Sequence, residues 1–143
     1  MLSNKTAEVF KMKRDIELIR KILIVLEEDE APEFTGEFNL DGVDQEIIDY
    51  HLELIKDAGL IKGNFQYGDN RLLFVSLKLT NEGHDFIFAA KNETVWAKFK
   101  KKLGSEMQNV PIAVAVPLLI DFSKSYFKNL VGVDHEQQAN RTT

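Results

Sequence analysis

Across residues 13–90 the apolar side chains change period twice, from helical to alternating and back to helical, and few folds satisfy that order in so short a stretch. Ile16, Ile19, Ile22, Leu23 and Leu26 recur at three- and four-residue steps, which predicts an amphipathic helix over residues 13–28. Ile47, Ile48, Leu52, Ile55 and Ala58 predict a second helix, opened by Asp44 as N-cap with Glu46 in its first turn and stopped by Gly59. The spacing then switches. Residues 60–65 and 72–80 read as strands, the second alternating through Leu73, Val75, Leu77 and Leu79, with Gly68-Asp69-Asn70 as their turn. Thr80 is placed to cap a third helix carrying Phe86, Ile87 and Ala90, and Asn92 a fourth carrying Val95, Trp96, Phe99 and Leu103, which Gly104 ends. Between the first two helices, Pro32, Gly36 and Gly42 surround Glu37-Phe38-Asn39-Leu40, which reads as a brief strand able to pair with the hairpin.

The 143 residues, 44% of them hydrophobic, suit one globular domain with a real core. The chain has no cysteine, which removes disulfides, thiolate metal sites and thiol nucleophiles together and points to a reducing compartment, the cytoplasm. Leu2, Val9 and Phe10 are scattered among polar residues, so no signal peptide is expected. The longest apolar run, residues 110–120, is about half the length a spanning helix needs, and Asp121 ends it. The net charge of -5 is unevenly spread. Residues 27–57 hold 12 of the 23 acidic side chains with Lys56 as the one base among them. Bases gather at Lys11, Lys13, Arg14, Arg20 and Lys21 and again at Lys98, Lys100, Lys101 and Lys102, a two-sided distribution.

The expected organisation is a frayed leader over residues 1–11, a domain over 12–104, an apolar helix within 105–131 and a disordered tail over 132–143. Helix, short strand, helix ending in Ala58-Gly59-Leu60-Ile61, two-stranded hairpin and then Leu79-Thr80-Asn81-Glu82-Gly83-His84-Asp85-Phe86 is the order of a winged helix. The fold expected is therefore α+β, mostly helical, a winged helix-turn-helix-like domain with a small antiparallel wing and extra C-terminal helices. The run Met12 to Leu23, Tyr50-His51-Leu52, Ala58-Gly59-Leu60-Ile61, Leu79-Thr80 with Gly83-His84-Asp85-Phe86, Thr94-Val95-Trp96 and Val110-Pro111 resembles a family of bacterial and prophage proteins classed as a domain of unknown function. The resemblance covers roughly residues 12–131. It implies a winged-helix fold in a phage or prophage setting, and no particular activity.

No catalytic constellation is visible. Three histidines, His51, His84 and His135, lie far apart, and no pair has the i, i+4 spacing of a zinc helix, so neither metal nor cofactor is expected. His51 either contacts a ligand or fills the margin of the core, with structure the simpler reading, and His84 is expected to pack or bond locally. The carboxylates of residues 27–37 read as a solvated acidic loop, since acid/base chemistry needs two of them in a desolvated cleft. There is no phosphate loop and no nucleophile elbow. An enzyme is a distant third reading.

The second helix would be the groove-reading element of a DNA-binding winged helix. With its apolar stripe turned inward, its outer side offers Gln45, Glu46, Asp49, Tyr50, Glu53 and Lys56, and three carboxylates would meet phosphates. Glu46, Asp49, Tyr50 and Glu53 are thus candidates for docking a basic protein partner. Nucleic acid is the disfavoured alternative, with Lys13, Arg14, Arg20, Lys98, Lys100, Lys101 and Lys102 as its contacts; a solvated helix face also explains the lysine run. The helix over residues 112–130, which follows Pro111 and which Pro117 is placed to kink, carries more apolar surface than one face covers. Leu119, Phe122, Tyr126 and Phe127 are the candidates for self-association as a homodimer, and closure over the chain's own core is the other reading. Docking on a membrane is not expected, because that helix lacks a basic polar face.

Overall fold

The computed structural model describes residues 13–29, 34, 37–69 and 71–142, with side chains to residue 132. The elements in chain order are α1 (Ile16–Glu28), α2 (Gln45–Asp57), β1 (Ile61–Lys62), β2 (Phe65–Gly68), β3 (Arg71–Phe74), β4 (Lys78–Leu79), α3 (Asn81–Ala90), α4 (Glu93–Leu103), a 3₁₀ turn (Gly104–Gln108) and α5 (Ile112–Thr142). Helices dominate and the strands are short and antiparallel, so the chain is α+β and mostly helical. It divides into two compact units, Met1–Ile87 and Phe88–Thr143, with the division inside α3. The expected leader lies outside the described residues. The last helix runs from Ile112 to Thr142.

In the first unit, the buried stripes of α1 and α2 meet. Ile19, Ile22 and Leu23 pack inward from one, Ile48, Leu52 and Ile55 from the other. The first helix begins three residues later than its periodicity suggests, because Asp15 caps it. The Asp15 carboxylate accepts the amides of Glu17 at 3.0 Å and Leu18 at 3.3 Å. Asp44 holds the N-cap position of α2, yet its side chain makes no capping bond. At the other end Gly59, at φ +79°, takes the left-handed conformation that closes α2, and the chain turns into β1. Thr80 then ties the sheet's exit to its entrance. Its hydroxyl donates to the Gly59 carbonyl at 2.6 Å and accepts the Gly83 amide at 3.0 Å, capping α3 as expected.

The sheet departs from simple alternation. Ile61 pairs with Leu79 and Lys62 with Lys78, whereas Phe65 pairs with Phe74 and Gly68 with Arg71. Two residues separate the ladders on one strand and three on the other, which is a one-residue bulge on the β3–β4 side. The bulge moves the inward face by one position. Leu72 is buried ahead of it, and Leu77 and Leu79 after it, while Leu73 and Val75 are exposed. The expected single face of Leu73, Val75, Leu77 and Leu79 is therefore split. The brief strand expected over residues 37–40 is not formed; Phe34 instead makes an isolated antiparallel bridge to Leu77, and the Phe38 ring packs 4.7 Å from that of Phe34. Both rings are buried.

Leu60 and Leu77 are fully buried around this junction. Leu60→Ala and Leu77→Ala are each expected to destabilise by about 2–4 kcal/mol, the sum of lost transfer energy and an unfilled cavity. Urea melts of the two variants check this, and losses below about 0.5 kcal/mol at both sites would contradict the packing.

In the second unit, Val95, Trp96 and Phe99 of α4 and Ile112, Ala115, Val116 and Leu119 of α5 are buried. Asn92 caps α4 by accepting the Val95 amide at 3.0 Å, and Gly104 at φ +56° ends it, both as the sequence suggested. The Phe99 ring meets Phe122 edge-on at 6.1 Å, and Phe88 packs 5.3 Å from Phe127.

Candidate functional site

The polar chemistry of the first unit gathers where α2 faces the β2–β3 hairpin. Asp49 sits one turn into α2, only 8% exposed. Its Oδ2 accepts the Arg71 Nε–H at 2.7 Å and the Leu72 amide at 3.1 Å, so one carboxylate oxygen holds both a cation and the backbone of β3. Gln45, one turn earlier, accepts from Arg71 Nη2 at 3.3 Å and donates to the Phe38 carbonyl at 2.7 Å. The hydrogen bond to Asp49, and then the charges of Asp49, Glu37 and Glu46, raise the Arg71 pKa. One turn further on, Glu53 accepts the Tyr67 hydroxyl, and the phenol is pushed up to about 12 by that bond and by the carboxylates of Glu53, Asp49 and Asp57. Lys56 places its ammonium 4.9 Å from the centre of the Phe65 ring. Successive turns of α2 thus clamp the hairpin.

The other side of α2 carries His51, which is buried. Its Nδ1 lies 2.8 Å from the Ile47 carbonyl and its Nε2 accepts the Asp15 amide at 3.0 Å. That pairing requires the neutral ring with the proton on Nδ1. The imidazole is therefore a brace between α2 and the cap of α1, consistent with a structural role and leaving neither nitrogen for a ligand. Desolvation lowers its pKa, against smaller opposing effects from the Ile47 bond and the Asp15 charge. A depressed histidine pKa means that the unfolded chain binds the proton more readily. Stability from this group is fully present above the unfolded value of about 6.5 and is lost as pH falls through the lower folded value. Urea midpoints should therefore fall more between pH 7.5 and pH 5 in the wild type than in His51→Gln. Parallel pH profiles for the two proteins would contradict the brace.

The residues singled out from sequence are distributed as follows. Glu46 is exposed and Tyr50 and Glu53 half-buried, but Asp49 does not belong to an exposed acidic face: it is spent on Arg71 and Leu72. The ring of Tyr50 stands edge-on to His51 at 5.5 Å. Lys13 and Arg14 are exposed, whereas Arg20 is buried, with its Nη1 3.4 Å from Glu17, and is corrected as a contact residue. Lys98, Lys100, Lys101 and Lys102 are exposed on α4 in the second unit, so the basic candidates are divided between the two units. Lys98 lies 5.3 Å above the Tyr126 ring and Lys102 6.0 Å from that of Phe122. Leu119 is 0% exposed and cannot join two copies, while Phe122, Tyr126 and Phe127 are half-buried within their own chain. Among the described side chains of α5, the large apolar ones that are exposed are Val114, Leu118, Leu130 and Val131. His84 is exposed.

Sequence reasoning missed Arg71 and Tyr67. Their role lies only in side-chain contacts with α2 carboxylates, a proximity that the chain order alone does not display. It also missed Asp15, although an aspartate directly before the first periodic apolar residue is a recognisable helix start.

These features define a mostly helical α+β protein whose small antiparallel ladders are clamped to an acidic helix. Among the described residues no helix is long and apolar enough to cross a membrane. Residues 13–108 match the family described as Hypothetical protein (DUF2513). The chain is also similar to an "Uncharacterized protein" of Haemophilus influenzae, 34% identical over 96 residues, which span 66% of this chain and 81% of that one. The chain belongs to the DUF2513 family. No solved structure matches it.

Proposed function

We propose that the chain is a non-enzymatic binding module of winged-helix type, phage- or prophage-encoded and cytoplasmic, that acts through a protein partner. The observation that carries this reading is the Asp49–Arg71 ion pair at 2.7 Å. In a winged helix that reads DNA, the second helix and the hairpin supply cations to phosphates. Here α2 presents Glu46 and Glu53, and the arginine at the tip of the hairpin is neutralised by the helix itself. Three large apolar side chains stand out on the same hairpin: Tyr67 is 60% exposed, Leu73 52% and Val75 85%. Exposed apolar side chains of this kind suit a protein partner, Tyr67 on the α2 side of the hairpin and Leu73 on the other. The prophage setting rests on the family resemblance, and the cytoplasm on the absence of cysteine.

The second reading is a DNA-binding regulator, favoured by the four exposed lysines of α4. A gel-shift titration with duplex DNA separates the two. The protein-partner reading expects only weak non-specific binding, with Kd above about 10⁻⁶ M at physiological salt. Tight, sequence-selective retardation would overturn it.

A further inference from the structure

The two sides of the sheet are protected unequally. On the β3–β4 side, Phe34 exchanges both backbone hydrogen bonds with Leu77, at 2.7 and 2.8 Å, and Asp49 accepts the Leu72 amide. The Leu72 amide therefore points away from β2. In an antiparallel ladder the bonded pairs alternate, so the pairs Arg71–Gly68 and Leu73–Gln66 carry the β2–β3 bonds. The amides and carbonyls of Phe65 and Tyr67 then point out of the sheet, and no described residue bonds to them. Nor does β2, Phe65-Gln66-Tyr67-Gly68, carry the lysine or proline by which edge strands usually deter pairing.

The side chains along this edge have two characters. On the α2 side, the Tyr67 hydroxyl donates to Glu53, with the Asp57 carboxylate adding to the field; Asp49 is already paired with Arg71, and the Lys56 ammonium, 4.9 Å from the centre of the Phe65 ring, offsets part of this acidity. On the opposite side, Leu73 leans over Gly68 so closely that a Cβ there would lie 2.9 Å from its Cδ1, which brings apolar surface out to the edge strand. A strand laid against β2 would alternate between these two environments, because successive side chains point to opposite faces.

We propose that β2 is the docking edge for an extended segment of a partner protein in which lysine or arginine alternates with aliphatic residues. This rests on the protein-partner reading above and specifies the partner's chemistry. Backbone bonds to Phe65 and Tyr67 supply affinity, while the acidic and apolar faces select the sequence.

The test uses the full chain, labelled with ¹⁵N, and a blocked peptide of about nine residues alternating valine and lysine. At about 1 mM peptide, the Phe65 and Tyr67 amides should shift and exchange with solvent about tenfold more slowly. A valine–glutamate peptide and an N-methylated valine–lysine peptide should leave both amides unchanged. Tyr67→Pro, which removes an outward donor and no ladder bond, should abolish the response, whereas Tyr67→Val should keep it. Circular dichroism verifies that both variants fold, and the N-methylated peptide tests the same bond in the unaltered protein. The proposal is overturned if the two amides ignore the valine–lysine peptide, or if either control peptide protects them equally. Selective DNA binding in the gel shift would instead refute the protein-partner reading, so the two failures are distinguishable.

Discussion

Replacing Leu119 by glutamate is expected to destabilise the second unit by about 4 kcal/mol or more, a large part of the stability of an ordinary domain. Leu119 is completely buried on α5. A carboxylate there loses its water, gains no cation in exchange, and must either fold protonated at a strongly raised pKa or leave the core. The neighbouring Leu118 is 44% exposed, so Leu118→Glu is expected to change stability by no more than about 0.5 kcal/mol. Urea denaturation followed by circular dichroism compares the two. If Leu119→Glu stays as stable as Leu118→Glu and differs from the wild type only in oligomeric state, Leu119 joins copies after all and its burial is wrongly assigned.

Gly83→Ala should cost about 3 kcal/mol, even though alanine is the better helix former by about 1 kcal/mol. Gly83 lies in the first turn of α3, and a Cβ built on it would collide with the Leu60 carbonyl oxygen and lie 3.2 Å from Leu79 Cδ2. That carbonyl has no room to retreat, because it accepts the Thr80 amide at 3.0 Å and belongs to the residue that leads into β1. The steric term therefore outweighs the propensity term. Gly132→Ala is the internal control: it also sits within a helix, but nothing lies within 4 Å of its added Cβ. Alanine at Gly132 is expected to be neutral or stabilising by up to about 1 kcal/mol. Thermal melts that moved in the same direction for both variants would contradict the close approach of α3 to Leu60.

Much of the local structure was legible in the chain because its causes are local. The buried stripes of α1 and α2 follow from three- and four-residue spacing, the Thr80 and Asn92 caps from side chains that reach amides three residues ahead, and the stops at Gly59 and Gly104 from the tolerance of glycine for positive φ. The bulge was not legible. Leu73, Val75, Leu77 and Leu79 alternate without interruption in the sequence, and only the pairing register against β1 and β2 shows that one extra residue divides them. The candidate site was legible in composition and not in state. Glu46, Asp49 and Glu53 share one side of α2 by spacing, but a helical wheel cannot tell that Asp49 is withdrawn from solvent by Arg71, twenty-two residues further along.

The apolar length of α5 shows the same limit. Its composition exceeds what one face can cover, which pointed to association between copies, yet the packing of α4 and α5 takes Leu119 inward and leaves Val114, Leu118, Leu130 and Val131 outside. What the sequence determined by itself is the order of the main helices and the hairpin, the Thr80 and Asn92 caps and the acidity of α2, since each depends on residues within about one turn or one hairpin of each other. Tertiary structure alone decided which charges are spent, which sheet edge is open and which apolar side chains are covered. Those outcomes depend on distances between residues far apart in the chain, and a hydrogen bond or a buried contact exists only once folding has brought both partners to one place.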